Sequence, residues 1–128
     1  MIKQLVGAVL LAGICGAVLA APPDMSALSR KEQSEMLRAL VRANVAGENC
    51  PGYESTDSEW RFITDAADQL ADHLGLSIDD YDAKYYKPAF EALDADPEFC
   101  AVEGERISQT LERVLALGGS IDKYKMGG

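Results

Sequence analysis

The sequence predicts an all-α fold, a small irregular four-helix bundle with one disulfide, on three observations. Apolar residues recur three and four positions apart through most of the chain, and no stretch alternates as a strand would. Ser/Thr-x-x-acid boxes stand ahead of three successive segments. Two cysteines, Cys50 and Cys100, remain after the N-terminal segment is set aside.

That segment has the organisation of a cleavable secretory signal. Lys3 gives a positive start and Leu5 to Ala17 an apolar stretch, while Val18-Leu19-Ala20 ahead of Ala21 offers the short side chains a signal peptidase accepts. Cleavage is expected between Ala20 and Ala21. Pro22-Pro23 then stops the signal helix, because proline lacks an amide hydrogen and disfavours helix in the residue before it. A retained anchor is the competing reading: Leu5 to Ala21 gives 17 residues, rich in Gly and Ala, at the short edge of what crosses a hydrocarbon core of about 30 Å. Lipidation at Cys15 is disfavoured by Ile14, which stands where a small residue is required. The expected organisation is a signal over 1–20, a lead-in over 21–28, a helical domain over 29–119 and a flexible tail over 120–128. The mature protein is expected to be periplasmic or secreted, without stable membrane insertion after cleavage.

The first helix is predicted from Ser29 to Ala46. Ser29 and Glu32 form a capping box, Met36, Leu37, Leu40, Val41 and Val45 make an apolar side, and Gly47 is the expected left-handed stop. Thr56 and Glu59 open the second, whose stripe is Trp60, Ile63, Ala67, Leu70 and Leu74, followed by Gly75. Ser77 and Asp80 begin a third segment through Tyr81 and Tyr85, in which Pro88 either kinks one helix or opens a short new one ending near Asp94. Asp96 and Pro97 supply an N-cap and first-turn proline for the last helix, with Phe99, Cys100, Ile107, Leu111, Val114 and Leu115 on its apolar side and Gly118-Gly119 as its stop.

An even number of cysteines in a short exported chain points to a disulfide between Cys50 and Cys100. By the chain-entropy model, closing a loop of that size stabilises the fold by about 4 kcal/mol. Two free buried thiols are the alternative. A redox role is disfavoured by Glu48 near Cys50 and by Glu98 and Glu103 around Cys100, since a reactive thiolate needs positive surroundings.

Removing 20 of 128 residues leaves a chain of 108, the size of one domain, and the loss of Lys3 moves the net charge from -9 to -10. Glu54 to Glu105 holds 15 acids against Arg61, Lys84 and Lys87, whereas Ser26 to Ala46 sets Arg30, Lys31, Arg38 and Arg42 against Glu32 and Glu35. Nucleic acid is excluded as a ligand by this balance, because phosphate neutralisation demands a basic surface.

Candidate chemistry is sparse, and no cofactor is expected. His73 is the only histidine. It lies beside Asp72 near a helix end with no nucleophile motif, so it reads as a helix-terminal cation or a surface residue rather than a catalytic base, and no catalytic residue is assigned. Asp65, Asp68 and Asp72 line one stripe, either a solvated face or a surface whose repulsion a cation offsets. Asp94, Asp96, Glu98 and Glu105 fit positions one, three, five and twelve of a calcium loop. The match fails at position six, Phe99 instead of glycine, and at position seven, the cysteine expected to be bonded, so these four stay weak metal candidates. Tyr85 and Tyr86, adjacent on a helix, cannot both face inward, so one is expected to be exposed as a candidate interface residue.

The string from Cys50-Pro51 through Leu74-Gly75-Leu76-Ser77, Tyr81, Lys84 and Leu93 to Phe99-Cys100, then Gly104, Ile107 and Ser108, resembles a family of small exported helical proteins from alphaproteobacteria. It covers about half of the chain, and what the resemblance implies is export, a bundle and a disulfide. That family has no assigned activity, catalytic residue or ligand, so the resemblance implies none here. One disulfide in a small helical periplasmic chain is also similar to acid-stress chaperones and to some toxin-neutralising immunity proteins, with no motif behind either comparison.

The expected function is contact: a non-enzymatic exported protein whose acidic helical surface meets a cationic protein partner, the basic face of the first helix being available for self-association. The alternative is an acid-responsive chaperone, whose carboxylates on protonation would loosen the packing and expose apolar helix faces. An enzyme, built on His73 or a carboxylate pair, ranks behind both.

Overall fold

The computed structural model describes residues 23–119 and Ile121. The predicted signal over 1–20, its cleavage between Ala20 and Ala21 and, Ile121 apart, the predicted tail over 120–128 lie outside the described residues.

Local capping chemistry starts three of the four helices among the described residues. For α1 (Arg30–Asn49), Ser29 Oγ accepts from the Glu32 amide at 3.1 Å while Glu32 Oε1 accepts from the Ser29 amide at 2.8 Å. The Ser29 amide first, and the Ser29 hydroxyl after it, hold the Glu32 carboxyl below its usual range. For α2 (Asp57–His73), Thr56 and Glu59 repeat the reciprocal pair at 3.1 and 2.9 Å. The third helix, α3, begins at Ser77, whose Oγ accepts from the Asp80 amide at 3.0 Å. It comprises an α-turn Ile78–Tyr81, a π-segment Asp82–Tyr86 and an α-helical stretch Lys87–Ala95.

Pro88 accounts for the π-segment. In an α-helix its ring would press on the Lys84 carbonyl and leave that group without a donor. Here the preceding turn widens, and the Lys87 amide reaches back to the Asp82 carbonyl, so the rod continues without a break.

The last helix, α4 (Phe99–Leu115), starts later than Asp96-Pro97 predicts: Asp96 Oδ1 accepts from the Glu98 amide at 2.9 Å, closing a turn ahead of the helix. Gly75 ends α2 in a Schellman motif, with φ 69° and bonds from Gly75 N to Asp72 O and from Leu76 N to Ala71 O, both 3.0 Å. Gly47 does not end α1. It is buried inside a helix that runs on to Asn49, and a Cβ there would strike Ser55 Oγ, so its smallness serves packing and not a left-handed turn.

Helix α1 is the hub, packing against α2, α4 and both halves of α3. Its C-terminal half is accordingly buried nearly all round, with Leu40, Val41, Ala43, Asn44, Val45, Ala46 and Gly47 inside. Helix α2 faces it with Phe62, Ile63, Ala66, Ala67 and Leu70, and α4 with Ile107, Leu111 and Val114. The predicted stripe on α2 is buried at Ile63, Ala67 and Leu70 but fails at its first position: Trp60 is 41% exposed, and Phe62 is in the core instead. Ahead of α1, a 3-10 turn at Met25–Ala27 plugs one end of the core with Met25. Gln33 Nε2 donates to the Met25 carbonyl at 3.1 Å, Gln69 Nε2 to that of Pro23 at 3.1 Å, and the Asp24 amide to that of Leu117 at 2.9 Å.

Cys50 caps the C-terminus of α1 and is bonded to Cys100 in the first turn of α4, with Cα atoms 5.3 Å apart. The bond joins the hub to the last helix, the pairing expected from the even cysteine count. Among the described residues there is no strand, and no helix is long and apolar enough to cross a membrane.

Candidate functional site

The most developed polar site lies on the seam between α1 and α4. Arg38 and Arg42 stand one turn apart on α1, while Arg106 and Arg113 stand two turns apart on α4, so each pair shares a helix face. The seam turns these faces toward each other across a groove of about 390 Å³, lined also by Glu35 and Glu103.

Glu103 anchors it. The residue is 5% exposed, and its Oε2 accepts from Arg42 Nε at 3.0 Å and from Arg106 Nη1 at 3.3 Å. A carboxylate this buried would be strongly unfavourable alone, and the two guanidinium groups offset its desolvation. Aromatic rings hold two of the arginines further: the Arg42 guanidinium carbon lies 5.1 Å from the Phe99 ring centre, and that of Arg38 lies 5.7 Å from the Tyr85 ring centre. Glu35 engages Lys31 at 4.0 Å on the exposed side. Among the described residues, Arg38 and Arg113 have no carboxylate within ion-pair distance.

Reading the sequence singled out the basic face of α1 but missed Arg106, Arg113 and Glu103. Their spacing marks a face of α4, yet only the packing of α4 on α1 gives that face a purpose. Neither the capping pattern nor the composition pairs Glu103 with a residue 61 positions away.

The candidates drawn from the sequence fall elsewhere. His73 lies in the last turn of α2, exposed. Asp68 and Asp72 are exposed on α2 with Asp65, and Asp68 Oδ1 accepts from the Tyr81 hydroxyl of α3 at 3.4 Å. The calcium-loop candidates do not form a loop: Asp94 lies in the last turn of α3, Asp96 and Glu98 occupy the turn, and Glu105 is inside α4, accepting from the Tyr53 hydroxyl at 3.1 Å. Among the described residues no group of three or more His, Cys, Asp or Glu side chains is placed to share a metal ion.

The expectation for Tyr85 and Tyr86 is corrected. Tyr85 is buried, its hydroxyl 2.7 Å from Ser34 Oγ, and Tyr86 is half-buried, accepting from Asn44 Nδ2 at 2.8 Å. Ser34 and Asn44 lie ten positions apart on α1, roughly 15 Å along its axis. The rod of α3 crosses between them, and its adjacent tyrosines splay in opposite directions along the hub. Tyr81 joins them with ring centres 6.3 Å from Tyr85 and 5.3 Å from Tyr86. Burial, first among several causes, raises the Tyr81 and Tyr86 hydroxyl pKa values above the usual phenol range.

A second hollow, of about 260 Å³, lies where Tyr53 rests on Gly104 of α4, with Glu54, Glu59 and Glu105 at its border. A Cβ on Gly104 would collide with the Tyr53 ring. Comparison with protein-family models, curated proteins and solved structures returned no match.

Proposed function

We propose that this is an exported, non-enzymatic protein that works by contact, presenting an acidic α2–α3 surface to a cationic protein partner. The observation that carries the reading is the join between the two elements. The Tyr81–Asp68 hydrogen bond brings Asp68, which shares a stripe of α2 with Asp65 and Asp72, beside the exposed Asp79, Asp80 and Asp82 at the start of α3. A surface of one sign steers an oppositely charged partner and discriminates against others. The disulfide and the capped helices support the same reading, since an ordered scaffold loses little freedom on binding. Export rests on the Lys3 to Ala21 pattern and on the use of cysteine.

The test uses the oxidised mature protein, immobilised and exposed to cationic proteins of its own compartment at low and at high salt. The Asp72→Lys, Asp79→Lys, Asp80→Lys triple variant is run beside it. A partner retained by the wild type at low salt and lost by the variant is the expected result. A partner held equally by both proteins would rule this face out. Intact mass of the same preparation, before and after reduction, checks export: a chain beginning at Ala21 that gains two hydrogens on reduction is expected, and an uncut chain with free thiols would sink that part of the reading.

A further inference from the structure

We propose that the groove between α1 and α4 is a binding site for a small organic dianion, a phosphate monoester or a dicarboxylate. This goes beyond the contact reading and concerns the opposite charge.

The charge balance comes first. Four arginines and two glutamates line the groove, a formal surplus of two positive charges on a chain whose net charge is -9. Glu103 has two guanidinium partners and Glu35 has Lys31, so among the described residues Arg38 and Arg113 are cations without a carboxylate. Gathering like charges is unfavourable unless an anion compensates them. A ligand carrying two negative charges would bring the groove to neutrality.

Preorganisation is the second argument. Arg42 is fixed by both Glu103 and the Phe99 ring, Arg106 by Glu103, and Arg38 by the Tyr85 ring. Arg42 spends only Nε and Arg106 only Nη1 on the carboxylate, which leaves their other N–H groups for a ligand. Guanidinium forks match the paired oxygens of phosphate and carboxylate alike, so the two ligand types share one chemistry. Ordering long side chains in advance removes much of the entropic cost of binding.

Size and surroundings select a small ligand. A volume of about 390 Å³ falls within the range of small-molecule sites. Gln109 and Thr110, also on the wall, offer uncharged polar groups to the rest of such a molecule. A nucleic acid would extend past the groove onto a strongly acidic protein and be repelled.

The experiment is calorimetric titration of the full mature oxidised chain with glycerol 2-phosphate and, separately, with glutarate, at matched ionic strength. Saturable binding of at least one probe, one per chain, is expected. The probe that binds, or binds more tightly, distinguishes the phosphate from the dicarboxylate source. Arg38→Gln and Arg113→Gln should each weaken binding about tenfold. Neither residue touches Glu103, and Arg38 gives up only its contact with the Tyr85 ring, so circular dichroism without ligand should match the wild type. Failure of both probes to saturate, or binding that survives the double variant, would overturn the proposal.

Discussion

Helix α1 meets α4 and α3 along two seams of different chemistry. Against α4 it uses the Cys50–Cys100 bond and the Arg42–Glu103–Arg106 cluster, and the seam stays open as a polar groove. Against α3 it uses Ser34 and Asn44 to receive the hydroxyls of Tyr85 and Tyr86, and there the rings close the space. Apolar burial is common to both, and being non-directional it leaves the neighbours free to slide. The difference between the seams shows that the few polar side chains on a buried hub fix which helix docks where, because hydrogen bonds impose distance and angle.

The largest expected effect breaks the covalent part of the α4 seam. The Cys50→Ala, Cys100→Ala double variant should lose about 4 kcal/mol of unfolding free energy in urea titration. A loss below about 1 kcal/mol would mean that the ion pairs and apolar contacts alone set this seam. Next is Glu103→Gln, which should cost about 2 kcal/mol by removing the buried negative charge that strengthens both arginine hydrogen bonds. A double-mutant cycle sharpens the point: coupling should be larger for Arg42–Glu103 than for Arg106–Glu103, since the Arg106 side chain is 61% exposed and that of Arg42 28%.

The α3 seam should answer with smaller changes. Tyr85→Phe and Tyr86→Phe should each cost about 1 kcal/mol in chemical denaturation, the worth of one neutral hydrogen bond. Equal losses from Glu103→Gln and Tyr86→Phe would erase the proposed difference between the seams. The alkaline limb offers a further check. Tyr81 and Tyr86 have folded-state pKa values above the unfolded phenol value of 10.0. The stability they contribute is therefore complete below that value and is lost as pH rises toward the folded-state ones. Ultraviolet titration should show these two phenols resisting ionisation above the usual phenol range, until the chain unfolds. Two phenols that titrate at ordinary pH in the folded protein would place them outside the seam.

The parts of the fold legible in the sequence are those whose chemistry is local. Ser29 and Glu32, Thr56 and Glu59, and Ser77 and Asp80 act within one helical turn, so spacing alone identifies them. Gly75 is also legible, because the backbone conformation that ends α2 favours that residue. Gly47 was not, since its reason is Ser55, eight residues away across a turn. Trp60 was misplaced because a stripe of threes and fours fixes a helix face only to within a residue or so, and Phe62 competes for the core. The pairing of Tyr85 and Tyr86 with α1 was hidden by the assumption that one helix has one inward direction, which fails where a rod crosses a hub.

The sequence by itself determined an all-helical chain, where three of its helices begin, and the two cysteines that close it. These follow from hydrogen bonds inside a turn, from periodicity and from counting. Only the tertiary structure decided that α1 is the hub, that Glu103 draws arginines from two helices, and that four guanidinium groups face a common groove. Those features join residues far apart in the chain, and the packing of apolar faces that brings them together has no single local signature.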